Sequence, residues 1–341
     1  TTILAQQHYD TLRGMGWDDV ALFQTDKDWD AHIIIGTHAI LNNNNLLASA
    51  LLVIIDEFHK FGVEQRAQAT KYSPHLLLVS ATPIPRTLSL SVFGDLDVST
   101  IREQPTARGQ VITRAVFPEK REGMYEIVEQ ELAKGHQVYV VYPRISSGDE
   151  DVVSAEKGFE QITERFAHLS CLLTGRASQD DKTKALQWFR EGRVKILVST
   201  IIAEVGLDNP NATVMIVEGA DRFGLSQLHQ LRGRICRAKD TAFCFLVSDT
   251  SNDTSIARLE VIERVNNGFL LAEHDLRLRG PGELFSTRQH GLPDLKFASL
   301  IDDYDLILEA RKVAQAGQVG GGVMEMMRIK YNENLLLGDV R

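Results

Sequence analysis

Short apolar runs rich in branched residues alternate along this chain with longer amphipathic stretches. The runs His32–Ile35, Leu51–Ile55, Leu76–Val79, Gln137–Tyr142, Lys195–Ser199, Thr213–Glu218 and Ala242–Val247 read as strands. Helical spacing marks Ile3–Arg13, Arg86–Phe93, Arg121–Lys134, Gly158–Ala167 and Gln179–Glu191. Near-continuous apolar strands separated by helices predict an α/β fold with parallel sheets covered on both faces. Such sheets bind ligands at the carboxyl ends of their strands. Polar residues stand at those ends here: Asp56 follows LLVII, Ser80 follows LLLV, and Thr200 follows KILVS.

Two breaks organise the pattern. EQPTARGQ, Glu103–Gln110, is polar and carries Pro105 and Gly109, and SDTSND, Ser248–Asp253, is a second polar stretch. They divide the chain into 1–104, 105–250 and 251–341. QVGGG at Gln318–Gly322 reads as a flexible joint, and the asparagines Asn42–Asn45 as a turn.

Composition narrows the class. With 341 residues and 43% hydrophobic content, the chain can build two compact domains and a tail. Its longest apolar run, Leu46–Ile55, falls well short of the about 20 residues that span a bilayer. No leader pattern opens it, and its three cysteines form no Cys-x-x-Cys pair, so a cytoplasmic, reducing home is expected. The net charge of −9 argues against a surface that is basic throughout. Positive charge is instead local: Arg222, Arg232, Arg234, Arg237 and Lys239 form one group, and Arg277, Arg279 and Arg288 another. A solvated face and a nucleic-acid footprint both stay open for these groups on charge alone.

The candidate chemistry starts at LLVIIDEFHKFG, Leu51–Gly62, where an apolar strand ends in adjacent carboxylates. Buried charge without a partner is costly, and Mg²⁺ is held by one or two carboxylates together with phosphate oxygens. Asp56 and Glu57 are the candidate Mg²⁺ residues, Asp56 holding the metal and Glu57 also placed to orient or deprotonate an attacking water. His59 is placed to relay the nucleotide state. A solvated acidic turn is the alternative. In VSATPIPRTL, Val79–Leu88, the hydroxyls of Ser80 and Thr82 stand beside the next strand end, Pro83 and Pro85 fix the exit, and Arg86 opens a helix; Ser80, Thr82 and Arg86 are the candidates to link the carboxylate turn to a nucleic-acid cleft.

DEFH followed by SAT resembles motifs II and III of the superfamily-2 helicases, and further motifs follow the same likeness. TTILAQQH (Thr1–His8) is similar to motif Ia, IGTHAIL (Ile35–Leu41) to Ib, STIIAEVGLDNPNA (Ser199–Ala212) to V, and QLHQLRGRICR (Gln227–Arg237) to VI. FGVEQR, ATPIPRTL and RGPGEL resemble the RecG family in particular; the transcription-repair coupling factors usually read RGAGE at the last of these. The resemblance covers nearly the whole chain.

That resemblance implies two RecA-like domains, the first incomplete, and a helical C-terminal translocation unit. It implies ATP and Mg²⁺ as cofactors and branched DNA as substrate, remodelled during recombination and repair by a monomer, with single-strand-binding protein as a partner. Gly206, Asp208, Arg234 and Arg237 become nucleotide residues, Arg234 and Arg237 acting as arginine fingers. If motif VI is helical, Gln230, Arg234 and Arg237 share a face at i, i+4 and i+7. Thr37, His38 and Thr200 match backbone-contacting positions, which orient DNA without reading its sequence. Glu204 couples nucleotide to strand, and Arg279, Gln289 and Gly291 match the translocation motif within Phe269–Gly291.

Departures accompany the likeness. The dipeptide Gly-Lys of a phosphate-binding loop, G-x-x-x-x-G-K-S/T, occurs nowhere, so that loop and the family's wedge domain are expected upstream of Thr1. The interval RGMGWDDVALFQTDKDWDAH between motifs Ia and Ib is short enough to lack a strand. Phe58, Lys60, Ile201, Cys236 and Ser286 replace the family's usual residues. A nucleic-acid-binding module without ATP hydrolysis is therefore the second reading.

Overall fold

The computed structural model describes residues 2–23, 31–57, 75–80, 97, 99–101, 103, 109–143, 149–166, 169–200, 209–235, 240–275, 277, 306, 309–310, 312–313 and 316. By contacts the chain divides into two units, Thr1–Pro83 with Arg102–Leu278, and Ile84–Ile101 with Arg279–Arg341. The described helices and strands from Thr2 to Arg264 all belong to the first.

Helix α1, Thr2–Gly14, precedes two parallel strands, β1 (Val20–Leu22) and β2 (Ile33–Ile35), with Val20 opposite Ile33. The compressed interval after motif Ia thus contains a strand. Its far end is pinned where the Asp19 carboxylate accepts from the His32 backbone N–H at 3.1 Å. Helix α2, Asn44–Ser49, starts where the Asn43 side chain accepts from Leu46 N, so the asparagine run expected to form a turn contains a helix cap instead. A second parallel pair joins β3 (Val53–Asp56) to β4 (Leu76–Val79).

The later part is a six-stranded, wholly parallel sheet. Its strands are β5 (Val111–Val116), β6 (Gln137–Val141), β7 (Ser170–Leu173), β8 (Ile196–Ser199), β9 (Ala212–Val217) and β10 (Ala242–Val247). They lie in the order β5-β10-β9-β6-β8-β7. Helices α3 (Arg121–Ala133), α4 (Asp149–Phe166), α5 (Gln179–Arg190), α6 (Leu225–Arg232) and α7 (Asp253–Arg264) cover it.

The pleat sorts the core. Tyr139 and Val141 of β6 face a layer built from Phe189 of α5, Leu228 and Leu231 of α6, and Leu259 and Ile262 of α7. Val138 and Val140 face the opposite layer, with Met124 and Val128 of α3 and Ile162 and Phe166 of α4. This is why β6, β8 and β9 are apolar without alternation: both faces are covered. Each fully buried aliphatic side chain contributes roughly 1.5–3 kcal/mol.

Candidate nucleotide and nucleic-acid site

The acidic turn sits at the end of β3. The Asp56 carboxylate accepts from the Glu57 backbone N–H at 2.8 Å, and Glu57 has φ +52°. Among the described residues Glu57 is the one non-glycine residue in the left-handed region, a conformation that costs energy and that often accompanies functional sites. The register sets Asp56 opposite Val79, so Ser80 lies one residue beyond the motif II carboxylate on the neighbouring strand. From α1, His8 Nε2 stands 3.8 Å from Asp56 Oδ2, both side chains about half exposed. His59, Thr82 and Arg86 lie outside the described residues.

Thr37 and His38 follow β2. Thr37 caps the 3-10 turn His38–Asn42, its hydroxyl accepting from Ala39 N at 3.4 Å. Gly36 makes this exit possible: a Cβ there would stand 2.8 Å from Phe23 Cβ and 3.1 Å from Ile40 Cδ1.

In the later sheet, Thr200 follows β8, its N–H donating to Leu173 O at 3.4 Å. Gln230 lies on α6, and its Nε2 is buried without a hydrogen-bond partner among the described residues. A buried donor left unpaired costs about 1–3 kcal/mol, so this amide is suited to an incoming acceptor such as a phosphate oxygen. Arg234 lies beyond the end of the helix. α6 stops at Arg232, Gly233 is its C-cap, and the Arg234 N–H donates to Leu231 O at 2.9 Å in a tighter turn. The α-helical spacing expected for Gln230 and Arg234 thus ends at Gly233, whose N–H still donates to His229 O, and Arg234 follows the helix in the tighter turn. Arg237, Glu204, Gly206, Asp208, Arg279, Gln289 and Gly291 lie outside the described residues.

Sequence reasoning missed three features. The first is Arg232, which the basic run suggested to be a surface or DNA-facing charge. It is only 4% exposed and donates to the carbonyls of Ile262, Val265 and Asn266, to Asn266 Oδ1 and to His229 Nδ1. Burial and the neighbouring guanidinium hold His229 down at about 4, so its ring is the neutral acceptor. The second is Asn209 of motif V, a buried support: it donates to Gln137 Oε1 at 3.1 Å and accepts from Asn211 N at 3.0 Å. The third is a polar cluster at the strand ends, where Arg121 pairs with Glu218. Burial pushes the Glu218 carboxyl up, and the Arg121 charge opposes that shift. Alternating charge gave no signal for any of the three.

The residues present fit a nucleotide. Three described groups on separate elements have chemistry that magnesium or phosphate uses: the strand-end Asp56 carboxylate, the left-handed Glu57 beside it, and Gln230 Nε2, a buried donor without a partner among the described residues. Among the described residues no three His, Cys, Asp or Glu side chains gather as a metal cluster, but Mg²⁺ requires only one or two carboxylates. No described helix is long and apolar enough to cross a membrane.

Comparison with known proteins adds independent findings. Three family models match: DEAD/DEAH box helicase over 1–90, helicase conserved C-terminal domain over 119–239, and ATP-dependent DNA helicase RecG, domain 3, C-terminal, over 265–319. The ATP-dependent DNA helicase RecG of Synechocystis is 42% identical, the match covering 100% of this chain and 44% of that protein. That of Streptococcus pneumoniae is 41% identical over 92% of this chain and 50% of its own. The chain thus spans about half the length of the curated relatives it matches. A solved RecG bound to a three-way DNA junction superposes with a TM-score of 0.67 at 38% identity, covering 90% of this chain and 42% of that one. Yeast Dbp5 bound to RNA and ADP BeF3 reaches 0.55 at 15% identity over 92% of this chain and 78% of its own, a likeness of fold alone.

Proposed function

Because this chain belongs to the RecG family of ATP-dependent DNA helicases, we propose that it is the motor portion of a protein that remodels branched DNA by hydrolysing ATP. The observation that carries the reading is Gln230 Nε2 on the motif VI helix, a buried donor without a hydrogen-bond partner among the described residues. Its desolvation is offset only when an acceptor arrives, which ties nucleotide binding to the local stability of that helix.

Asp56 would hold the magnesium ion through its exposed carboxylate, and Glu57 would take or orient the proton of the attacking water. Gln230, Arg234 and Arg237 would bind the terminal phosphate, with Gly206 and Asp208 contributing from motif V. Bound Mg²⁺ supplies neutralisation of phosphate charge. The left-handed backbone of Glu57 sets the direction of its Cα–Cβ bond, which would help to orient the carboxylate toward the attacking water. Thr37, His38, Ser80 and Thr200 stand at strand exits and would meet the DNA backbone, giving binding without base specificity. Arg279, Gln289 and Gly291 would belong to the translocation unit, working in a monomer.

The test is ATP hydrolysis by the full-length protein with and without junction DNA. Stimulation by junctions is expected, with Glu57→Gln losing roughly a hundredfold or more in turnover while still binding DNA. Absence of turnover, or residual turnover indifferent to both DNA and Glu57→Gln and so not arising at this site, would leave a binding module as the better description.

A further inference from the structure

We infer that Arg232 is a positioning residue that carries the movement of the motif VI helix into the C-terminal translocation unit. The inference rests on the helicase reading above. It concerns the corner of chain at residues 265–267, which joins α7 to the helical residues 268–275.

Arg232 is the last residue of α6 and has five hydrogen bonds. Its Nη1 donates to Ile262 O at 2.9 Å, Val265 O at 3.0 Å and Asn266 Oδ1 at 3.2 Å. Its Nη2 donates to Asn266 O at 3.2 Å and to His229 Nδ1 at 2.8 Å. Ile262 lies in the last turn of α7 and Val265 is its C-cap, so these carbonyls belong to the end that a helix leaves unpaired and electronegative. No carboxylate is among its hydrogen-bond partners. A buried cation satisfied by main-chain carbonyls is held by geometry, and the planar fork of arginine supplies it where lysine does not.

The corner has a second function. Asn267, the next residue, accepts on Oδ1 from Phe269 N at 2.8 Å and Leu270 N at 3.3 Å. It thereby caps the helix that begins Phe269–Gly291, the segment resembling the translocation motif. Leu271 of that helix is buried in the same core layer as Leu228 and Leu231 of α6. On the other side of Arg232, only Gly233 separates it from Arg234. One guanidinium therefore stands between a nucleotide-binding arginine and the start of the translocation segment. A shift of the α6 end on nucleotide binding would move the corner with it, because five directional bonds resist sliding where apolar packing alone would permit it.

A merely structural cap would predict something different: its loss would lower folding stability and reduce every activity in parallel. The experiment uses the full-length protein and its Arg232→Lys and Asn266→Ala variants. Junction-stimulated ATP hydrolysis and DNA unwound per ATP are measured on the same preparations, with hydrogen exchange of residues 262–275 with and without a non-hydrolysable ATP analogue. Hydrolysis close to that of the unsubstituted protein is expected, with unwinding per ATP falling about fivefold or more. The nucleotide-dependent change in exchange should disappear in both variants. Asn266→Ala deletes one side-chain acceptor and keeps every backbone carbonyl, so it carries the test alone if Arg232→Lys melts early. Parallel loss of hydrolysis and unwinding, no change in either, or a persisting exchange response would overturn the inference. An unsubstituted protein without DNA-stimulated hydrolysis would instead sink the helicase reading, and this inference with it.

Discussion

Tyr142 closes directly over Gly158: a Cβ at residue 158 would stand 1.8 Å from the Tyr142 hydroxyl oxygen and 2.2 Å from its ring carbon. The glycine on α4 is what lets that helix approach the end of β6. Gly158→Ala should therefore destabilise the protein even though alanine is the better helix former. A loss of about 1–3 kcal/mol is expected in urea unfolding, the usual range for overpacking. Tyr142→Leu should relieve part of it, so the two substitutions should couple in a double-mutant cycle. Additive effects would show that the helix relaxes instead.

Gln230 separates stability from activity. Replacing it with leucine removes a buried Nε2 donor that has no partner among the described residues. Folding stability should stay level or rise by about 1 kcal/mol, while ATP turnover in the full-length protein falls. Arg237→Ala should stop hydrolysis and leave nucleotide affinity largely intact, because an arginine finger acts on the charge that develops in the transition state. Calorimetric binding set against steady-state turnover checks both. A destabilised Gln230→Leu would mean that the amide has a structural role.

Asn209 makes the converse case. It lies within motif V, yet its side chain joins Gln137 Oε1 to the Asn211 backbone. Gln137 in turn donates to Phe189 O at 2.6 Å and Val194 O at 2.8 Å. Asn209→Ala should cost about 1–3 kcal/mol, since it strips a donor from a buried network. Nucleotide affinity measured well below the melting temperature should be unchanged. A variant with normal melting and lost hydrolysis would reassign Asn209 to the coupling machinery.

His229 gives stability a pH dependence. Its ring is held at about 4 in the folded chain, first by burial and then by the Arg232 charge, against an ordinary 6.5. Above pH 6.5 both folded and unfolded states keep it neutral and its contribution is complete. As the pH falls below 6.5, the unfolded chain takes up a proton that the folded chain refuses. Stability should decline down to about pH 4, by on the order of 2–3 kcal/mol from this residue. His229→Gln retains an acceptor for Arg232 and should flatten that part of the profile in urea titrations run from pH 7 to 4.

Much of this arrangement was legible from residue order. Leu76–Val79 and Ala242–Val247 are strands with the limits that their apolar runs suggested. Asp56 is legible at a strand end because the branched run VII favours a strand and Asp-Glu terminates it, although only Ile55 of that run is buried and Leu51, Leu52 and Ile54 are exposed. β5 was missed: VITRAV carries Thr113 and Arg114, and as an edge strand it needs no unbroken apolar run. α4 begins well before Gly158, because acidic residues such as Asp149 and Glu150 favour a helix N-terminus without looking amphipathic. The burial of Arg232 was illegible. Its partners are main-chain carbonyls about thirty residues away, and main-chain groups leave no mark in a sequence.

The strand order has a consequence for synthesis of the chain. β5, the first strand of the six-stranded sheet, pairs along its whole length with β10, the last, Val111 lying opposite Ala242. The intervening strands reach the growing sheet earlier, but β5 has no backbone partner until the ribosome has released residues through Val247. Until then an apolar edge waits exposed, and pairings so distant in sequence are slow to form. A pause in translation shortly before Ala242 would thus lengthen the interval in which this half of the molecule is open to misassembly, whereas a pause after Val247 would not.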